Sequence, residues 1–184
     1  GGDGLPYSGK HAMERPGKFR VEVVGIMTQI YDGKHGWVQS GGQTTTMTKE
    51  QLDASSQQHY FSMVTALFPL RDKKFNLSLD GKERMNGTET LIVKVQSNGH
   101  RDVRLFLEAK TGYLVKSEHL GPMEGMPDKI VKYEATYEQY KSAGKIKFPS
   151  KVRMWRDGKK LLEATHSDYK PAISLDPKLL AKPN

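Results

Sequence analysis

The sequence predicts a mainly β protein with an α component. It is a curled antiparallel sheet, a half-open and unclosed β-barrel, with one long helix packed across the concave face. Three observations predict this. Apolar and polar residues alternate with period two over most of the chain beyond Phe19. Glycine-bearing turns at Gly81, Gly87, Gly99, Gly112, Gly144 and Gly158 leave connections too short for parallel crossovers, which need about a dozen residues. One stretch alone, residues 49–68, combines helical spacing with freedom from Gly and Pro. A long twisted meander curls, and the helix is the natural plug for its concave side.

Residues 1–17 contain Gly1, Gly2, Gly4, Gly9, Gly17, Pro6 and Pro16 without periodicity. They read as a flexible leader, pinned at most by Leu5 and Tyr7, ahead of a single domain over residues 18–184. Phe19, Val21 and Val23 then alternate with Arg20, Glu22 and Val24, a strand with one apolar face. Residues 26–31 continue it, Asp32-Gly33 turns, and residues 36–40 return, which puts Trp37 on a hairpin arm. The Thr-rich residues 43–47 add a strand. Thr48 is placed to cap the helix, with Glu50 in its first turn. Leu52, Tyr60, Met63, Val64, Leu67 and Phe68 recur at helical spacing until Pro69.

Period two then resumes. Phe75, Leu77 and Leu79 form one apolar row, and Leu91, Val93 and Val95 another. The Asn98-Gly99 turn brings back Val103, Leu105 and Leu107. Residues 113–118 follow Thr111-Gly112. Residues 120–127, with Gly121, Pro122, Met123, Gly125, Met126 and Pro127, read as a soft loop. Strands are expected over 129–140, 148–156 and 159–169. The tail beyond Pro171 offers Leu175, Leu179 and Leu180 for docking.

Composition narrows the chemistry. The 184 residues hold no Cys, which excludes disulfides, thiolate metal sites and Cys nucleophiles. No apolar run is long enough to span a membrane as a helix. The six histidines show neither i, i+4 zinc spacing nor an H-E-x-x-H pattern, and His35, His100 and His166 fall at turns or strand ends. They read as solvated surface groups. No nucleophile elbow, phosphate loop or dinucleotide glycine pattern occurs. The acidic pairs Glu83/Glu89 and Asp102/Glu108 read as wet sheet positions rather than catalytic carboxylates. Asn86-Gly87-Thr88 matches a glycosylation sequon but also ordinary turn chemistry. An enzyme is not expected, and neither is a cofactor or a metal.

The formal net charge is +8, and Lys141, Lys145, Lys147, Lys151, Arg153, Arg156, Lys159 and Lys160 fall in one late hairpin region. That cluster fits the wet face of a sheet, an anionic membrane surface, or an acidic protein partner. It lacks the aromatic ladder of single-strand binders, so nucleic acid is not expected. Met63, Met123 and Met126 lie near Tyr60, Phe61 and Phe68 in sequence, and methionine adapts to irregular apolar ligands.

Three segments carry a family resemblance. Residues 105–118, LFLEAKTGYLVKSE, resemble the hairpin of LolA-like outer-membrane lipoprotein-sorting proteins, in which an apolar strand and Lys-Thr-Gly lead to a second apolar strand. Tyr140, Gly144, Phe148-Pro149 and Val152 resemble the later Tyr, Gly, Pro, Val hairpin of that group. Residues 32–38, DGKHGWV, are similar to its early Asp-Gly…Gly-Trp hairpin. The three agree in order and spacing and span most of residues 19–169. The resemblance implies a half-open barrel closed by helices over an apolar cavity that takes lipoprotein acyl chains in the periplasm or senses lipoproteins.

The function expected is a non-enzymatic, exported lipid- or lipoprotein-binding protein, its targeting segment absent from this chain. The alternative is a protein-interaction or sensor module with a filled interior. The expected acyl-contacting residues are Trp37, Tyr60, Met63, Val64, Leu67, Phe68, Met123, Met126 and Trp155. The two indoles are assigned to a half-wet rim.

Overall fold

The computed structural model describes residues 6–14, 17–123, 126–170 and 174–183. Residues 61–170 form one compact unit, and residues 6–60 with 174–183 form another.

The smaller unit holds a five-stranded antiparallel meander. Its strands are β1 (Gly9–Glu14), β2 (Lys18–Val23), β3 (Met27–Tyr31), β4 (Gly36–Ser40) and β5 (Gln43–Thr46), paired in chain order. Strand β1 lies where a flexible leader was expected. Ala12 pairs with Arg20 and Met13 with Phe19, so backbone hydrogen bonding orders a segment whose side chains carry no alternation.

Helix α1 (Lys49–Thr65) starts as the sequence predicts. The Thr48 N–H donates to Gln51 Oε1 at 2.8 Å, and the Gln51 N–H donates to Thr48 Oγ1 at 3.3 Å, a reciprocal capping box. Residues 49–60 of the helix lie on one face of the small sheet. Gln29 Nε2 donates to Ser55 Oγ at 2.7 Å, and the Phe19 and His59 rings stack with centroids 5.8 Å apart. A Cβ on Gly36 would meet Leu52 at 2.6 Å, so glycine is what lets the helix approach β4.

The opposite face carries Arg20, Ile30 and Trp37 in register. The tail docks at this sheet, its turn Pro177–Leu180 packing against β2 with Leu180 buried. The Leu175 N–H donates to Glu14 Oε2 at 2.7 Å, which holds the Glu14 carboxyl below its usual pKa.

The helix was expected to reach residue 68 and ends at Thr65. The Thr65 hydroxyl donates to the Phe61 carbonyl at 2.9 Å, and Leu67 takes a left-handed conformation with φ 61°. A short 3₁₀ turn, Phe68–Arg71, follows. Pro69 disfavours α geometry at the residue before it, which shifts the break upstream.

The larger unit is a seven-stranded antiparallel meander. Its strands are β6 (Asn76–Met85), β7 (Thr88–Gln96), β8 (Val103–Glu108), β9 (Leu114–Met123), β10 (Met126–Ala143), β11 (Ile146–Arg156) and β12 (Lys159–Thr165), with β6 and β12 at the edges. Asn86 and Gly87, both at positive φ, make the tight β6–β7 turn. Of the soft loop expected over residues 120–127, residues 120–123 and 126–127 are strand instead, and Gly125 lies outside the described residues. Met123 pairs with Met126, and the Tyr133 ring lies over Gly121, where a Cβ would meet it at 3.3 Å.

Both sheets are antiparallel and neither closes into a barrel, which is the mainly β, half-open class expected, divided between two sheets.

Candidate functional site

Register separates the two faces of the seven-stranded sheet. One face carries the rows Leu77–Val95–Val103–His119–Tyr133 and Leu79–Val93–Leu105–Ser117–Ala135–Met154–Leu162. Its centre is filled, with Val95, Val103 and Leu105 fully buried. Its β6 margin is open, with Leu77 45% and Leu79 64% exposed. Neighbouring Leu91, Val93 and Leu107 are half-buried.

The end of α1 lies on this face. The Phe61 ring stacks on His119 with centroids 3.4 Å apart, and His119 stacks on Tyr133 at 5.2 Å. Burial in this aromatic column, with a smaller contribution from the Arg101 charge, lowers the His119 pKa to about 4. The imidazole is therefore neutral near pH 7. Tyr137 shares the face and meets the Ser117 hydroxyl at 2.9 Å, with Thr65 as its other side-chain partner. Burial raises its pKa.

The other face is ion-paired. Glu118, 7% exposed, accepts from Arg104 at 3.1 Å and from Lys132 at 3.0 Å, and pairs with Lys116 at 2.5 Å. Burial alone would raise its pKa, but Lys116 and Lys132 hold it below the usual value. Arg104 also reaches Asp80 at 2.8 Å, and Lys116 reaches Glu134 at 2.9 Å. Beneath them the Phe106 ring has Arg104 5.4 Å and Lys116 5.0 Å from its centroid. Further along, Glu163 holds Lys151, Arg153 and Lys160, each at 3.0 Å, and Arg153 also pairs with Glu138. Those cations draw the Glu163 pKa down to about 2. Three members of the late basic cluster are thus ion-paired within the sheet and share the carboxylate of Glu163.

The expected site residues are scattered. Met123 and Met126 are brought together as a register pair, with Met126 54% exposed. Met63 and Leu67 are half-buried near the helix end and Val64 is fully buried. Phe68 stands 63% exposed on the 3₁₀ turn. Tyr60, 1% exposed, belongs to the smaller unit. Trp37 shares a face with Ile30, opposite the helix contacts at Gln29 and Gly36. Trp155 pairs with Glu134 and Lys160, so it stands on the ion-paired face. Strict alternation along β11 puts Trp155 out of phase with Met154, and this is the sequence signal for its placement.

The sequence reading also missed His119 and Tyr137, because a polar residue in an apolar row reads as an interruption. His59 is buried as well, unlike the solvated group expected, and burial with the Lys74 charge lowers the His100 pKa. Among the described residues no three His, Asp or Glu side chains gather as a metal site. Two clefts of about 190 and about 390 Å³ are lined by Glu14, Lys18, Asp32 and the tail, and by Lys82, Glu83, Arg84 and Glu89. Charged side chains line both, joined in the first by Leu175, Pro177, Leu180 and Ala181.

Solved structures share this architecture. A LolA superfamily protein from Nitrosomonas europaea aligns with TM-score 0.65 at 12% identity, over 96% of this chain and 81% of that one. A DUF1329 family protein from Desulfovibrio piger aligns with TM-score 0.51 at 12% identity, over 80% and 68%. No family model matches the sequence, and no curated protein does. The chain has a divergent LolA-like fold.

Proposed function

We propose that the protein is a non-enzymatic, exported carrier that holds lipid or lipoprotein acyl chains against the apolar face of the seven-stranded sheet. The observation that carries this reading is the open β6 margin, where Leu77 and Leu79 stay exposed on a face whose centre is buried. Covering such surface stabilises a complex by about 25 cal/mol per Å² before association costs. Leu77, Leu79, Leu91 and Val93 form the floor, and Met63 and Leu67 line the chain from the helix end. Phe68, Met123 and Met126 are exposed or half-buried and serve as outer contacts. Trp37 and Trp155 lie on other faces, and Tyr60 is already buried, so none of the three is assigned a contact.

Native mass spectrometry of protein purified without detergent tests the reading, followed by organic extraction of the same sample. A co-purifying mass of a few hundred daltons that extracts as lipid is the expected result. Replacing Leu79 with Glu is expected to remove it from the folded protein.

The second reading is a protein-interaction module, favoured by the filled centre at Val95, Val103 and Leu105. A clean apo mass and no thermal stabilisation by fatty acid or lipopeptide would select it.

A further inference from the structure

Strands β10 and β11 outrun both neighbours. Pairing of β10 with β9 stops at Thr136–Lys116, and pairing of β11 with β12 stops at Lys151–Thr165. From Tyr140–Pro149 to Ala143–Ile146 the two strands pair only with each other. A lone two-stranded ribbon is marginal in water, so its base needs anchoring. Here the Tyr140 hydroxyl donates to the Leu114 carbonyl at 2.8 Å and its ring stacks on Tyr113 with centroids 4.2 Å apart. The Ser150 hydroxyl donates to the Gln139 carbonyl at 2.7 Å.

The ribbon's chemistry is one-sided in charge. Residues 140–150 read YKSAGKIKFPS, with Lys141, Lys145 and Lys147 and no acid. All three lysines are exposed, and among the described residues none of them forms an ion pair. Lys147 Nζ donates to Ser142 Oγ at 2.6 Å. This contrasts with Lys151, Arg153 and Lys160 nearby, which Glu163 holds. Between the lysines Ile146 is 42% exposed at the turn. Register places Ala143, Ile146, Lys141 and Phe148 on one side of the ribbon. The Phe148 ring stacks on Tyr169 at 4.6 Å, and Tyr169 is 47% exposed.

We infer that this ribbon tip is a docking element for an anionic lipid bilayer. Unneutralised lysines supply attraction to lipid phosphates, Ile146 supplies a side chain that enters the acyl boundary, and Tyr169 suits the headgroup level. The choice of a bilayer rests on the combination of unpaired lysines with an exposed aliphatic side chain at the turn and an aromatic ring nearby, the set that interfacial membrane anchors use, whereas a nucleic-acid backbone offers Ile146 no apolar surface. The inference is independent of acyl carriage on the sheet face, since a lipid-free protein would still dock.

Sedimentation of the full chain with vesicles of phosphatidylcholine, with and without phosphatidylglycerol, tests it. Strong preference for the phosphatidylglycerol vesicles is expected, weakening as salt rises. Replacing Lys141, Lys145 and Lys147 together with Gln is expected to cut binding by about a hundredfold, at about fivefold per lysine. Ile146→Ser keeps every charge and is expected to weaken binding by about tenfold. Unchanged circular dichroism and Tm in both variants confirm folding. Equal binding to both vesicle types, a triple variant that binds like the parent, or an Ile146→Ser variant that does so would each overturn the inference. Binding to heparin or an acidic peptide without binding to anionic vesicles would overturn it in favour of a polyanion site.

Discussion

On one face of the seven-stranded sheet Leu105 is fully buried, flanked in register by Val93 and Ser117. One residue along the same strand Phe106 is just as buried, on the other face, beneath Arg104 and Lys116. The two faces reach the same dryness by different routes. The ion-paired face closes itself, because long cationic stems cover apolar atoms while their charged heads stay wet and paired. The apolar face has no such cover of its own, so it is dry only where something is laid on it. At His119 that is Phe61; Leu77 and Leu79 stay 45% and 64% exposed. A sheet built this way concentrates its unused burial along one margin, which is where a ligand gains most.

The largest effects should come from the two buried centres. Phe106→Ala is expected to cost about 4 kcal/mol in chemical denaturation, and Leu105→Ala about 3 kcal/mol. If Phe106→Ala costs under about 1 kcal/mol, the ion-paired face is only a surface and the comparison fails. A pH titration of stability separates the faces next. With the folded His119 pKa at about 4, the unfolded chain binds a proton that the folded form refuses. Stability is therefore full above about pH 6.5 and falls by up to about 3 kcal/mol on descending to pH 4. His119→Phe should flatten that window. Glu118 and Glu134 have lowered pKa values, so the stability they contribute is lost at lower pH, below about 4.5. Glu118→Gln is expected to cost about 2 kcal/mol and to remove part of the salt dependence of unfolding. The smallest stability change, within about 0.5 kcal/mol, is expected for Leu79→Ser. Fluorescent fatty-acid binding should nonetheless fall severalfold in that variant. If it does not, the β6 margin is not the binding surface.

Much of the fold was legible because strand alternation and turn residues are local. Leu91, Val93 and Val95 declare a face two residues at a time, and Asn98-Gly99 needs no distant partner to turn the chain. The start of α1 was legible for the same reason: Thr48 and Gln51 satisfy each other within one turn. Strand β1 was not legible, since its order comes from pairing with β2 rather than from its own side chains. For the candidate site residues the sequence set the strand or helix but not the company: register pairs Met123 with Met126, and places Trp37 beside Ile30 and Trp155 on the ion-paired face, because phase and cross-strand register, not residue type, decide which side chains meet.

By itself, then, the sequence determined the antiparallel strand pairing, the start of helix α1 and the absence of cysteine chemistry. Those follow from local periodicity, turn geometry and composition. Only the tertiary structure decided that His119 is neutral within an aromatic column, that Glu163 ion-pairs with three members of the basic cluster, and that Leu79 is left exposed. Each of these depends on what a neighbouring strand or helix places opposite a side chain. Cross-strand distance and burial set charge state and hydration, and neither is encoded in the spacing of residues along one strand.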